Sequence, residues 1–280
     1  MSKVIVTIAR DENLYINEWV RHHIDLGFDQ IFVYDNYSDP PLQNEIDKLP
    51  DEYRRKVIVE MQEIMENPQV DAYGKGLNHY MESADWIAFI DVDEFITVPS
   101  GDLEETLQRY NRPSVGAVVM GWQFYNANGQ EKYEDKPVQE RFTQSCKHYD
   151  RCCGKSIVRP SYIAYPGVHY PLLLDGYLVE ENNIGLVHCR FEATYEHIYI
   201  KHYYTKSYEE WIWKLQRGSC DSRCLKKYDE FFLYNPDLLY MKDENLMKAQ
   251  MNCMHGELIL KSTQEHNLVD GFIDYSDGYK

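Results

Sequence analysis

From Lys3 to Ala9 the chain reads Lys-Val-Ile-Val-Thr-Ile-Ala and then turns abruptly to Arg10-Asp11-Glu12. A β-branched, nearly unbroken apolar run of this kind belongs to a central strand covered on both faces. Asn13 to Leu26 follows with Ile16, Val20, His23 and Ile24 at helical spacing, and Gly27 supplies the stop. A second strand, Gln30 to Tyr34, ends in the turn-forming run Asp35-Asn36-Tyr37-Ser38-Asp39-Pro40-Pro41. The alternation continues through a helical segment at Leu42 to Leu49, a strand at Lys56 to Glu60, a helix at Val70 to Ser83 and a strand at Trp86 to Ile90. It predicts an α/β fold, a mostly parallel sheet flanked by helices with right-handed connections. Ligands of such sheets bind beyond the carboxyl ends of the strands. Arg10-Asp11-Glu12, Asp35-Asn36 and Asp91-Val92-Asp93-Glu94 all fall there.

After a short helix at Asp102 to Tyr110 and a strand at Val115 to Met120, residues 121–183 lose helical periodicity and gain Gly, Pro and aromatics. Loops and antiparallel strands are expected there. Ser207 and Glu210 have capping-box spacing, and a helix at Trp211 to Gly218 follows with its own Gly stop.

The sharpest local feature is Trp86-Ile-Ala-Phe-Ile-Asp91-Val92-Asp93-Glu94-Phe95. If the chain stays extended, Asp91 and Asp93 share a face. Like charges so placed repel unless a cation lies beside them, and Mg²⁺ or Mn²⁺ commonly binds one or two carboxylates and fills its shell with water and substrate phosphates. An exposed carboxylate in such a site is expected to contribute little to stability. A chain this acidic also carries Asp-x-Asp triplets by chance; position at the end of a buried strand favours the metal reading.

Composition limits the partners. The 29 Lys and Arg against 46 Asp and Glu leave a formal charge of −17, which repels nucleic acid and anionic lipid. A metal would invert that sign locally and let a diphosphate bind. The 24 Tyr offer the flat, partly polar faces found in sugar clefts. The seven cysteines lack paired Cys-x-x-Cys spacing and read as reduced thiols, and no run approaches the roughly 20 apolar residues of a membrane span. His22-His23, Cys152-Cys153 and Cys220 with Cys224 do not make metal sites, because their spacing or number is wrong.

Arg10 to Asp29, Val33 to Asp39 and Asp85 to Phe95, with Glu140-Arg141-Phe142, Lys155-Ser156-Ile-Val-Arg159-Pro160, Val168-His169 and His202 to Glu210, together resemble the GT-A glycosyltransferases of the family 2 and family 92 type. The resemblance runs over about residues 3–218. It implies a GT-A domain at 1–218, with a nucleotide-sugar half at 1–100 and an acceptor half at 101–218, and leaves a helical extension at 219–280. It implies that Ala9, Arg10 and Glu12 border the base, that Asp35 and Asn36 lie near the uridine or its ribose, that Asp91 contacts the ribose or donor sugar, and that Asp93 ligates Mn²⁺ or Mg²⁺ beside Asp91. A later histidine often completes the shell in such enzymes, with His202 and His169 as candidates and His188 third.

Glu140 and Asp175, both in the acceptor half, are candidates for the general base that takes the acceptor proton. Lys155 and Arg159, around a strand, are placed to meet phosphate oxygens. Trp122, Phe124, Tyr125, Tyr165 and Tyr170 are candidates for stacking on acceptor sugars, though a core role competes for each. The expected activity is metal-dependent, inverting transfer of a hexose, with UDP-galactose favoured, to a glycan or glycolipid hydroxyl. The expected setting is cytoplasmic, with peripheral attachment to a membrane where surface polysaccharide is built. A sugar nucleotidyltransferase is the alternative enzyme, but it calls for a Gly-rich loop after the first strand; a non-catalytic glycan-binding protein is the alternative outside enzymes.

Overall fold

The computed structural model describes residues 1–63, 66–146, 154–181, 193–218 and 228–242. The strands are β1 Lys3–Ala9, β2 Gln30–Asp35, β3 Val57–Met61, β4 Trp86–Phe89, β5 Glu94–Thr97, β6 Val115–Tyr125, β7 Ser145–Cys146, β8 Gly154–Val158, β9 Ile163–Tyr165, β10 Leu172–Leu173, β11 Tyr177–Glu180 and β12 Tyr199–His202. The helices are α1 Ile16–Leu26, α2 Gln43–Ile46, α3 Asp51–Arg54, α4 Pro68–Tyr80, α5 Leu103–Gln108, α6 Val138–Arg141, α7 Tyr208–Arg217 and α8 Glu230–Tyr234.

The main sheet runs β3-β2-β1-β4-β8-β6-β12-β5, with β7 and β11 also on β6. β1 pairs in parallel with β2 on one side and β4 on the other, so the strand order reverses at β1 and opens a crevice at its carboxyl end. All seven residues of β1 are buried. Alternation along the strand sends Ile5 into a core with Trp19, Val20, Ile31, Val33 and Ala88, and sends Val4 and Val6 into a second with Phe32, Ala72, Tyr73 and Leu77. This two-sided burial explains the unbroken apolar run. α4 lies against β1 through Gly76, where an added Cβ would meet Val6 Cγ1 at 2.5 Å.

α1 ends as the sequence predicts, with Gly27 at φ 114° and the Phe28 N–H donating to the carbonyl of His23. His23 is wholly buried; its Nδ1 meets the Trp19 carbonyl at 2.8 Å and its Nε2 accepts from the Ile96 N–H, as a core histidine should. His22 bonds through Nε2 to the Ile96 carbonyl at 2.7 Å.

Of the elements that differ from expectation, two shape the site. β6 continues five residues past Met120 to Tyr125, because β7 and β12 give its far end partners of its own. The strand before Asp91 stops at Phe89 rather than Ile90, and Asp91 to Glu94 form a turn closed by the Glu94 N–H donating to the Asp91 carbonyl at 3.0 Å. A turn, rather than an extended pleat, therefore sets the two aspartates.

Residues Met1–Leu238 form one compact unit. It runs past residue 218 because Phe231 of α8 packs edge-on against Tyr208 and at a tilt against Trp211 of α7. Among the described residues no helix is long and apolar enough to cross a membrane. Cys146 is a free thiol, while the other six cysteines and His188 lie outside the described residues.

Candidate active site

A cleft of about 480 Å³ opens at the carboxyl ends of β1 and β4, lined in part by Ala9, Arg10, Glu12, Asn36, Asp91 and Asp93. Trp122 from β6, Lys155 from β8, His169 and His202, and Lys214 and Arg217 from α7 complete the wall. The parallel half of the sheet thus meets residues from the second half of the chain at one place.

The notion that a cation must sit beside the aspartates is met by the chain itself. Lys214 Nζ donates to Asp93 Oδ2 at 2.6 Å, and Lys155 Nζ lies 3.0 Å from Asp91 Oδ2. Asp91 Oδ1 accepts from Gln69 Nε2 at 2.9 Å and from the Tyr73 hydroxyl at 3.2 Å. Burial pushes the Asp93 carboxyl up, but the charge of Lys214, with a hydrogen bond from His202, outweighs it and holds the group well below the usual carboxylate range. Asp93 is only 8% exposed, so it is a structural group as well as a site group, contrary to the expectation of an exposed carboxylate. Glu94 turns under the loop, where its Oε2 accepts the Asp91 N–H at 2.8 Å, and full burial pushes its carboxyl far upward.

Among the described residues, Asp93 and His202 are the pair that could hold a divalent ion. His202 Nε2 lies 3.5 Å from Asp93 Oδ1, the carboxylate oxygen that Lys214 does not take. Burial lowers the His202 imidazole below its usual range, which favours the neutral form that ligates metals. The ring is fixed by Trp122, Phe124 and Tyr204, with centroids 4.6, 4.8 and 5.5 Å away. Among the described residues no group of three His, Cys, Asp or Glu side chains forms a ligand cluster. An ion here would hold to two protein groups and take its other ligands from water and a bound phosphate, a habit common to Mg²⁺ sites. His169 lines the same cleft, with Nδ1 at 3.1 Å from the Gly154 carbonyl and its ring against Trp122.

Other residues singled out in the sequence are placed elsewhere. Asp35 is 2% exposed and spends its carboxylate on the N–H groups of Ser38 and Leu42, each at 2.9 Å, so it builds the loop that presents Asn36 to the cleft. Arg159 shares a face with Lys155 but sits at the opposite end of β8, about 13 Å along the strand; there it donates to the carbonyls of Arg112 and Val115 and stacks on Tyr162. Glu140 is exposed on α6, and its neighbour Arg141 pairs with Glu210 instead. Asp175 is exposed in a separate depression, where it accepts the Gly176 N–H at 2.7 Å. Neither Glu140 nor Asp175 lines the cleft. Of the aromatic candidates, Trp122 lines it, Phe124 packs beneath His202, and Tyr165 lies exposed in another groove.

Sequence reasoning missed α7 as a source of site residues. Arg217 Nη1 pairs with Glu12 Oε1 at 2.6 Å and donates to the Arg10 carbonyl at 2.7 Å, tying the end of α7 to the loop after β1. The usable signal was Lys214 and Arg217 one turn apart on a helix whose start was legible. That start is a full capping box: the Ser207 side chain accepts the Glu210 N–H while the Glu210 carboxylate accepts the Ser207 N–H. Glu210 also accepts from both Arg141 terminal nitrogens, each at 2.8 Å, and from the Tyr15 hydroxyl at 2.7 Å.

Comparison with known proteins places this arrangement. A family 92 glycosyltransferase protein of Oryza sativa subsp. japonica is 27% identical over 161 residues, covering 57% of this chain and 27% of its own length. One of Ricinus communis is 26% identical over 196 residues, covering 65% of this chain and 34% of its own. The chain therefore spans about a third or less of the length of these two relatives. Among solved structures, Staphylococcus aureus TarS in complex with UDP-GlcNAc aligns with a TM-score of 0.45 at 12% identity, over 85% of this chain and 67% of that one. The profile described as Glycosyltransferase family 92 matches residues 6–234, and the chain belongs to that family.

Proposed function

We propose that the cleft binds a nucleoside diphosphate sugar and that the protein transfers its hexose to a hydroxyl of a glycan or glycolipid. The observation that carries this reading is the convergence of Asp91, Asp93 and His202 with Lys155, Lys214 and Arg217 at the carboxyl end of β1. Asp91 and Asp93 carry two negative charges, and Lys155 and Lys214 two positive. The four are neutral together, so a diphosphate entering beside them calls for further positive charge. Asp93 Oδ1 and His202 Nε2 would hold Mn²⁺ or Mg²⁺, which when bound supplies Lewis-acid stabilisation to the departing diphosphate.

Ala9, Arg10 and Asn36 border the nucleoside, and Asp91, part-exposed and held by Gln69 and Tyr73, accepts from a ribose or sugar hydroxyl. Among the described residues the carboxylates lining the cleft are Glu12, Asp91 and Asp93, each engaged in an ion pair; the transfer is read as direct displacement with inversion, the diphosphate leaving as the acceptor oxygen bonds the anomeric carbon and its proton passing to a base on the acceptor side. UDP-galactose is the favoured donor, and cysteine usage supports a reducing, cytoplasmic setting, with peripheral attachment to a membrane where the acceptor is a lipid.

The test is incubation of purified protein with Mn²⁺ and a panel of nucleotide sugars, scored by release of nucleoside diphosphate and by thermal shift. UDP release from UDP-galactose supports the reading. Pyrophosphate release from a nucleoside triphosphate and a sugar phosphate, or no response to any donor, would overturn it.

A further inference from the structure

We infer that Lys214 makes divalent-ion binding conditional on the nucleotide: the seat at Asp93 and His202 takes an ion strongly only when a diphosphate arrives with it. This inference rests on the functional reading above and concerns the order in which that site fills.

Lys214 occupies one oxygen of the very carboxylate whose other oxygen faces His202. Its Nζ donates to Asp93 Oδ2 and to the Tyr204 carbonyl, both at 2.6 Å, and it sits 4.4 Å from the centroid of the Tyr204 ring. The side chain is 9% exposed and lies on a helix anchored at both ends, by the Ser207 capping box and by the Arg217 ties to Glu12 and Arg10. The ammonium therefore has little room to swing aside. A divalent ion placed between Asp93 Oδ1 and His202 Nε2 meets one neighbouring negative charge already spent on this lysine, and Coulomb repulsion from the ammonium opposes the attraction of the carboxylate at similar range.

Asp91 does not repair the balance. Its own charge is met by Lys155, whose side chain is 1% exposed and is equally fixed. Two protein ligands also leave most of an octahedral shell unfilled. A diphosphate answers both shortages, because it brings negative charge and oxygen ligands that bridge to the ion. Ion and nucleotide therefore enter as partners, and Lys214 acts as a positioning residue that suppresses occupation by the ion alone.

The experiment is equilibrium dialysis of Mn²⁺ against the intact protein, with and without UDP, corrected for Mn²⁺ held by UDP without protein. The wild-type protein is expected to hold Mn²⁺ at least about tenfold more tightly with UDP present. Lys214→Met is expected to gain at least about tenfold in affinity for Mn²⁺ without UDP, an increase that loosened packing does not produce, while Lys214→Arg keeps the wild-type pattern. Equal Mn²⁺ affinity with and without UDP in the wild type, or a folded Lys214→Met protein with no gain, overturns the inference while leaving the donor reading intact. If the Met variant does not fold, Lys214→Gln, which keeps a donor for the Tyr204 carbonyl, is measured in its place with the same expected gain. Failure of the wild type to bind UDP in either condition overturns both.

Discussion

Glu210→Gln probes the joint that holds α7 in place. In the native protein the Glu210 carboxylate receives both Arg141 terminal nitrogens, the Tyr15 hydroxyl and the Ser207 N–H, and the Arg141 and Glu210 side chains are 1% and 2% exposed. The amide keeps the shape and removes the charge, leaving a guanidinium buried with its principal partner gone. Breaking a buried pair from one side costs about 3–5 kcal/mol. Linkage gives an independent figure. Burial raises the Glu210 carboxyl, but the Arg141 hydrogen bonds and the charge of Lys206 outweigh it and lower it from 4.5 to about 2. A depressed folded value contributes stability that is complete above the unfolded value and is lost as pH falls from about 4.5 toward 2. A shift of that size is worth about 3 kcal/mol at about 1.4 kcal/mol per unit. Urea unfolding followed by circular dichroism at pH 7 and at steps down to pH 3 reads both effects. The variant should lose about 3 kcal/mol at pH 7 and show a shallower decline in acid. A loss below about 1 kcal/mol at pH 7, or an acid profile parallel to wild type, refutes the reasoning.

Asp93→Ala should abolish ion-dependent UDP binding in calorimetry and also cost about 3–5 kcal/mol in urea unfolding, because it strands Lys214 in a buried position; an unchanged midpoint would contradict the pairing described. Gly76→Ala should destabilise by about 1–3 kcal/mol, because the new methyl overlaps both Val6 methyls in the packed face between α4 and β1. A melting temperature at or above wild type would show that this interface yields more readily than its distances allow.

The first half of the chain was legible because its signals are local. Two-sided burial writes an unbroken apolar strand such as Lys3–Ala9, and a helix stop such as Gly27 is a property of one residue. Asp93 was visible for the same reason, as the end of such a strand. Its counter-charge was not, since Lys214 lies 121 positions away and nothing along the chain announces that pairing. Asp35 shows the converse limit: an aspartate after a strand reads alike whether it faces a ligand or caps the next turn, and here the N–H groups of Ser38 and Leu42 claim it. Arg159 was misjudged in distance rather than direction, because pleat alternation tells which face a residue shares and says nothing of which rim of the sheet it reaches.

The position of β12 and α7 late in the described chain bears on how the protein is made. β1, β2 and β4 can pair while later segments are still being synthesised, yet the imidazole, the ammonium and the guanidinium that finish the cleft come from positions 202, 214 and 217. A nascent polypeptide thus acquires a framework well before it acquires chemistry, and a product cut short before residue 199 would keep its first sheet pairings while lacking every group that α7 delivers.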